Sequence, residues 1–187
     1  MDNINFTANL IKHTVVPKIS YDNTYKPSMI SVIELNKNDT NDINALRQTS
    51  ADWYYLNDRF SYAIYNEAVK DYEYGNVNKE YYYAITEQKD NFDKPDYKKI
   101  LGLMLFSDTK DFENEINFLQ VRPDLTHSRT ANRAYKNIGE NFIDLLKDKH
   151  NGKTIIVKSL PDAKEFYEKQ GFKVRKKEEP LKLYLEA

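Results

Sequence analysis

The sequence predicts an α/β fold with a mixed, mostly antiparallel sheet of about six to seven strands and helices on both faces. Apolar runs rich in β-branched and aromatic residues alternate with segments whose apolar residues recur every three or four positions. The resulting element order is β, α, α, β, β, β, α, β, α, β, β. Consecutive strands in the middle favour antiparallel hairpins, whereas the strand–helix–strand unit between residues 116 and 157 predicts a right-handed parallel crossover.

Local signals mark the ends of the predicted elements. Asp39 offers a cap to the first helix, Gly75 ends the second, and Pro161 and Gly171 bound the last. The first predicted helix follows residue 40, and the second covers residues 60–72. The third begins near Asn137, and the fourth begins at Pro161. The predicted strands cover residues 29–35, 80–86, 99–107, 116–121, 154–157, 172–174 and 181–185.

Residues 1–28 are weakly patterned, and Pro17 and Pro27 interrupt any long strand there. We therefore predict an N-terminal arm, residues 1–28, that lies on a single domain formed by residues 29–187. An arm that forms a homodimer is the alternative.

Composition excludes several classes of function. The chain has 187 residues, enough for one domain with a real core, and a net charge of −1, which argues against nucleic-acid binding. It has no cysteine, so disulfides, thiolate catalysis and zinc–thiolate sites are excluded, and its three histidines show no metal-ligand spacing. No stretch has the pattern of a signal peptide or a membrane span. We expect a cytoplasmic protein without a metal, a nucleic-acid partner or a membrane partner.

Residues 115–142 carry the strongest chemical signal. A strand over residues 116–121 is stopped by Pro123, and a basic, polar loop leads to a helix that begins near Asn137. The start of a helix presents free N–H groups and the positive end of the helix dipole. This stretch therefore predicts a seat for a phosphate group.

Two motifs in this half of the chain resemble those of a known family. The first is LQVRP at residues 119–123, followed by RAYKNIG at residues 133–139, and the second is AKEFYEKQGF at residues 163–172. With a strand between them, they resemble the cofactor motif and the later helix-and-turn motif of the GNAT superfamily, the acyl-CoA-dependent N-acetyltransferases. The resemblance in element order extends from about residue 29 to residue 185.

The resemblance implies that acetyl-CoA is the co-substrate. The family's central strand, here Leu119 to Val121, offers backbone groups to the pantetheine arm. The pyrophosphate lies at the loop and helix start, where Gly139 allows close approach of the backbone. The implied pyrophosphate-binding residues are Arg133, Lys136, Asn137, Ile138 and Gly139.

The chain departs from the family pattern in two places. Asn137 occupies a position where the family usually has glycine, and asparagine tolerates the left-handed conformation better than most residues. Val121 and Gly139 are 18 positions apart, which is longer than the usual spacer. The extra loop, residues 124–132, is expected to cover the cofactor, contact the acceptor or do neither.

The resemblance also implies catalytic roles for two residues. Tyr167 matches the tyrosine that protonates the departing thiolate, although a packed core or rim tyrosine is the alternative. Glu115 matches the glutamate general base of one branch of the family, with a solvated carboxylate or an ordered-water proton route as alternatives. If Ile116 and Phe118 share one face of the strand, Glu115 lies on the other.

Three functions remain open from the sequence. The first is an N-acetyltransferase that moves an acetyl group from acetyl-CoA directly to a primary amine of a small molecule or a protein. The second is a non-catalytic, acyl-CoA-binding sensor or interaction protein with the same fold. The third is a structural α/β protein without a cofactor.

Overall fold

The computed structural model describes residues 7–55, 60–75, 79–108, 114–126, 133–150 and 152–186. Within these ranges, eight strands form one sheet accompanied by four α-helices, none of them long and apolar enough to cross a lipid bilayer. The strands are β1 (Asn9–Ile19), β2 (Tyr25–Leu35), β3 (Lys79–Thr86), β4 (Ile100–Asp108), β5 (Asn114–Val121), β6 (Thr154–Lys158), β7 (Lys173–Val174) and β8 (Lys182–Glu186). The helices are α1 (Thr40–Tyr54), α2 (Phe60–Tyr74), α3 (Ile138–Lys149) and α4 (Lys164–Lys169).

The sheet is mixed and mostly antiparallel, as the sequence predicts. Its strand order is β1-β2-β3-β4-β5-β6-β8-β7. Neighbouring strands pair antiparallel except β5 and β6, which pair parallel and are connected through α3. The predicted parallel pairing across the strand–helix–strand unit is therefore confirmed.

The N-terminal segment belongs to the sheet, which raises the strand count from the predicted six or seven to eight. Residues 9–19 form β1, and the boundary predicted after residue 28 falls inside β2. Pro17 pairs with Pro27. The Pro17 carbonyl turns outward to accept a hydrogen bond from Lys136, so the two prolines form a pair that needs no ladder hydrogen bond. Pro27 turns its backbone towards β3, but β2 pairs with β3 only from Ser31 onward. The missing N–H groups of the two prolines therefore remove no hydrogen bond from the sheet.

Two hydrophobic clusters form the core. The first joins residues of α3 and α4 to strand residues such as Val32, and the second joins residues of α1 and α2 to strand residues such as Ile33. Phe142 in the first and Trp53 in the second are fully buried. Burial of one such aromatic side chain stabilises the fold by roughly 1.5–3 kcal/mol.

A glycine in β4 fixes the position of α3 on the sheet. A Cβ atom on Gly102 would lie 2.8 Å from Cε2 of Phe142 and 3.0 Å from Cγ2 of Ile138. Only a residue without a side chain leaves room for this close approach. The first turns of α3 are thereby held directly over β4, next to the end of β5.

A bulge in β5 overturns one expectation about its faces. The register between β4 and β5 shifts around Asn117, so that two residues of β5 occupy the space of one. Ile116 consequently packs in the first cluster and Phe118 in the second, although the two residues are two positions apart. The condition that Ile116 and Phe118 share one face is therefore not met, because simple alternation assumes a regular strand.

Candidate functional site

A gap opens in the sheet between β5 and β6. The parallel ladder contains only three pairs and ends where Ile116 pairs with Val157, whereas β5 continues to Val121. β6 instead follows β8, because Ser159 donates its N–H to the Leu181 carbonyl at 2.9 Å. The last five residues of β5, Asn117 to Val121, therefore have β4 on one side and, among the described residues, no strand on the other.

The register of β4 and β5 decides which backbone groups face this gap. Arg122 donates its N–H to the Leu101 carbonyl at 2.9 Å, so Arg122 turns its backbone groups towards β4. Because this orientation alternates along an antiparallel strand, Leu119 and Val121 turn their N–H and C=O groups towards the gap. The side chain of Gln120 donates to the Val121 carbonyl at 2.5 Å. The remaining groups form a half-open strand edge that an extended ligand with amides can pair with.

The start of α3 lies beside the end of β5. Asn137, the residue before the helix, adopts the left-handed conformation with φ 63° and ψ 23°, and its side chain caps no N–H group. The N–H groups of Ile138, Gly139 and Glu140 have no acceptor among the described residues. Free N–H groups at the positive end of a helix are the features that bind anions.

Gly139 brings the two sequence motifs together. A Cβ atom on Gly139 would lie 3.0 Å from Cζ of Phe166 and 3.7 Å from Cγ2 of Val121. The residue before Tyr167 therefore contacts the helix start, which in turn contacts the strand end. Strand edge, helix start and α4 converge at one place, although Val121 and Phe166 are 45 positions apart in the chain.

The charged groups near the helix start have mixed signs. Lys136 is exposed, and its Nζ lies 3.7 Å from the ring centroid of Tyr25. Arg133 is half-buried, and its carbonyl accepts a hydrogen bond from the Tyr25 hydroxyl at 2.9 Å. Glu140 lies in the first turn of α3, where its carboxylate interacts favourably with the helix dipole. The helix N–H groups are therefore the fixed anion donors here, and Lys136 adds charge only if it leaves the ring of Tyr25.

Tyr167 is buried in the first cluster. It is 6% exposed, and its ring lies edge-on to Phe166 and Phe172, with centroids 5.0 and 5.4 Å apart. Within the described chain its hydroxyl has no hydrogen-bond partner, and burial raises its pKa well above the ordinary value of a tyrosine. The phenol is thus protonated at neutral pH, and its O–H group is available as a donor.

Glu115 lies in the paired part of β5, next to Ile116 and therefore on the opposite face from the first cluster. Its side chain is 31% exposed and forms an ion pair with Nζ of Lys158 at 3.2 Å. Tyr167 belongs to the first cluster, so the structure does not bring the two predicted catalytic side chains together on one face. The ion pair with β6 was not visible in the sequence, because its partner follows 43 positions later.

Sequence reasoning missed the contribution of the N-terminal strand to this site. Residues 134–136, which precede α3, pair with the outer edge of β1, and Tyr135 lies buried against it. The contact joins positions more than a hundred residues apart, and no local pattern signals it.

Two other regions bear on the search for a site. The long loop predicted at residues 124–132 lies partly outside the described residues, since only residues 124–126 are described. There a short 3-10 turn, which begins at Pro123, buries Pro123 and Leu125.

A cavity of about 390 Å³ opens where β2 ends and β3 begins. Because β3 and β5 run in the same direction, this cavity lies at the start of β5 and Val121 lies at the other end of the sheet. Glu34, Asp39 and Glu80 are among the residues that line it.

Comparison with known proteins gives no match: no protein-family model matches the chain, and no curated protein matches it in sequence. Among the residues in the described ranges, no three histidine, aspartate or glutamate side chains are grouped as metal ligands. The features that bear on function are therefore the gap beside β5, the start of α3 and the helix α4.

Proposed function

We propose that this protein is an N-acetyltransferase that moves an acetyl group from acetyl-CoA directly to a primary amine of a small molecule or a protein. One observation carries the proposal: the unpaired edge of β5, the uncapped start of α3 and the helix α4, which carries the buried Tyr167 next to Phe166, meet where β5 leaves β6. These are the three features that the pantetheine arm, the pyrophosphate and the departing sulfur require.

The GNAT-like fold is part of the same proposal and requires helices on both faces of the sheet. Val32 and Ile33 are neighbours on β2, so their side chains point to opposite faces. Val32 packs in the cluster with α3 and α4, and Ile33 packs in the cluster with α1 and α2. This division supports two helices on each face.

The backbone groups of Leu119 and Val121 would hold the amides of the pantetheine arm in the gap. The N–H groups of Ile138 and Gly139 would hold the pyrophosphate, because they have no acceptor in the described part of the chain and lie at the positive end of α3. The left-handed Asn137 turns the chain into the helix at this point. Arg133 and Lys136 would add positive charge at the rim.

Direct transfer moves two protons. The amine nitrogen bonds to the acetyl carbon and the carbon–sulfur bond breaks, so the amine loses a proton and the sulfur gains one. Tyr167 is the donor to the sulfur, since burial keeps its hydroxyl protonated. Because Glu115 lies on the opposite face of β5 from Tyr167, it would accept the amine proton through water, and its ion pair with Lys158 must then open or admit that water molecule.

That ion pair is also the observation that favours the second candidate, a non-catalytic protein that binds acyl-CoA. A glutamate engaged by Lys158 at 3.2 Å is not free to act as a base. Both candidates use the same cofactor site and differ only in turnover.

Acetyl-CoA binding and turnover separate the candidates. Acetyl-CoA at about 100 times its Kd should raise the free energy of unfolding by roughly 2.7 kcal/mol. Release of free thiol in the presence of an amine panel would then identify the enzyme, and stabilisation without any release would identify the non-catalytic protein. No stabilisation at millimolar acetyl-CoA would contradict both.

Replacement of the Tyr167 hydroxyl tests the proposed proton donor. Tyr167→Phe should lower kcat by roughly 10²-fold or more, the lower range for loss of a general acid, with little change in the KM for acetyl-CoA. Tyr72→Phe, on the half-exposed side of α2, is the matched control. Unchanged thiol release by the Tyr167 variant would exclude the role.

A further inference from the structure

The segment that leads into α3 extends the sheet beyond β1. Ile19 donates its N–H to the Ala134 carbonyl at 2.9 Å, and Lys136 donates its N–H to the Pro17 carbonyl at 3.0 Å. Lys18 and Tyr135 form an antiparallel bridge between these two bonds. The three residues 134–136 therefore act as a short added strand on the outer edge of β1.

Side chains hold this segment at its centre. Tyr135 is 3% exposed, and its hydroxyl donates a short hydrogen bond to the Glu87 carboxylate. Nζ of Lys18 lies 2.9 Å from the same carboxylate oxygen and 4.8 Å from the ring centroid of Tyr135. Glu87 itself is tied to the start of β4 through its N–H, which donates to the Lys99 carbonyl at 2.9 Å.

At neutral pH the protonation states stabilise the contact of Tyr135 and Lys18 with Glu87. We call this three-residue contact the hook. Burial and the hydrogen bond to Glu87 raise the pKa of Tyr135, so the phenol stays neutral. Burial tends to raise the pKa of Glu87, but the hydrogen bonds from Tyr135 and Lys18 outweigh it and hold that pKa below its usual range. At neutral pH a neutral donor and an ammonium group therefore converge on one carboxylate, which is a strong hydrogen-bond arrangement.

The hook lies next to the N–H groups at the start of α3. Tyr135 is two residues before Asn137, the left-handed residue that opens α3. We propose that Tyr135 is a positioning residue for the pyrophosphate: through Glu87 and the edge of β1 it holds the free N–H groups of α3 in their binding orientation. The N-terminal strand is then part of the cofactor site. This inference rests on the proposed binding of acetyl-CoA.

Loss of the hook should weaken CoA binding by reducing the docked fraction of the segment, since the apparent Kd is the intrinsic Kd divided by that fraction. Tyr135→Phe keeps the ring and removes the hydroxyl, and we expect a Kd for CoA about three- to tenfold higher by calorimetry. Tyr21→Phe is the matched control, because Tyr21 lies fully exposed in the turn between β1 and β2. Glu87→Gln should act in the same direction, and the double variant should lose less than the sum of the two.

The choice of acyl donor distinguishes positioning from general destabilisation. S-acetylpantetheine lacks the pyrophosphate, so Tyr135→Phe should lower kcat/KM for acetyl-CoA three- to tenfold and leave kcat/KM for S-acetylpantetheine within about twofold. Equal losses for both donors, or a Kd equal to that of Tyr21→Phe, would overturn the inference. Tyr25→Phe, which removes the hydrogen bond from the Tyr25 hydroxyl to the Arg133 carbonyl, provides a second variant if Tyr135→Phe does not fold. A wild-type protein that binds no CoA would instead remove the proposed function itself.

Discussion

At the scale of single residues, Asp42 carries the least compensated charge in the core. Its side chain is fully buried on α1, and Oδ2 accepts the Asn36 N–H at 2.6 Å. Oδ1 has no partner within the described residues. Burial raises the pKa of Asp42 to about 7, and the nearby carboxylates of Asp39 and Asp93 add to the increase. The fold therefore favours the protonated carboxyl.

This shift predicts a pH-dependent stability. Because the folded pKa exceeds the unfolded value, the folded state binds more protons between about pH 4 and pH 7, so the free energy of unfolding falls as the pH rises through that interval. The contribution of Asp42 is at most about 1.4 kcal/mol per pH unit and is constant above pH 7 or so. Asp42→Asn keeps the acceptor for Asn36 and should flatten the slope in urea unfolding measured from pH 5 to pH 8.

Asp52→Asn provides the control, because Asp52 is exposed on the same helix. If the slope of the Asp42 variant equalled that of the Asp52 variant, the buried carboxyl would not be the source.

The two proposed catalytic residues show what sequence reasoning can and cannot predict at this scale. The motif around Tyr167 predicts a proton donor, and this role stays a prediction; its burial keeps the phenol protonated. The motif also predicted Glu115, but the Lys158 ion pair arises from the pairing of β5 with β6 and has no local signal. Likewise, Glu87 gained its partners Lys18 and Tyr135 only through folding.

At the scale of elements, the turn into α3 depends on the backbone of Asn137. Its φ of 63° lies in the left-handed region, which costs a β-branched residue roughly 1–2 kcal/mol and costs glycine nothing. Asn137→Gly should therefore keep both stability and CoA affinity, whereas Asn137→Val should lose about 1–2 kcal/mol in urea unfolding and bind CoA more weakly. Equal behaviour of the two variants would show that this conformation is not required.

The gap beside β5 shows why the sequence does not predict where one strand leaves its neighbour. Alternation and Pro123 located the end of the strand correctly at Val121 and placed its start two residues late. The place where β6 departs is set by pairing with β8, and the bulge at Asn117 is set by pairing with β4. Both depend on partners distant in the chain, so a single-strand pattern contains neither.

At the scale of the whole molecule, β1 is integral to the core. Val16 on β1 is 1% exposed and packs in the first cluster, whereas its neighbour Val15 is 62% exposed. Val16→Ala should therefore lower the free energy of unfolding by about 2 kcal/mol through lost burial and a small cavity, and Val15→Ala should be nearly neutral. Urea unfolding of the pair tests this. A neutral Val16 variant would show that residues 9–19 lie on the domain as a loose arm.

The overall architecture was predictable because its signals are local. The helices, the middle hairpins and the parallel unit around α3 follow from periodicity and from breakers such as Gly75 and Pro161. The eighth strand was not predictable, because Pro17 and Pro27 read as interruptions until their pairing and orientation are known. Long-range pairing thus decided both the extent of the sheet and the attachment of the helix start.

The most direct test of the central claim is a backbone amide NMR titration of the protein with acetyl-CoA. We expect saturable shifts that are largest at Leu119, Val121, Ile138 and Gly139, the residues whose N–H groups face the gap or open α3. Shifts confined to the cavity near Glu34 and Glu80, or no shifts at millimolar acetyl-CoA, would contradict it.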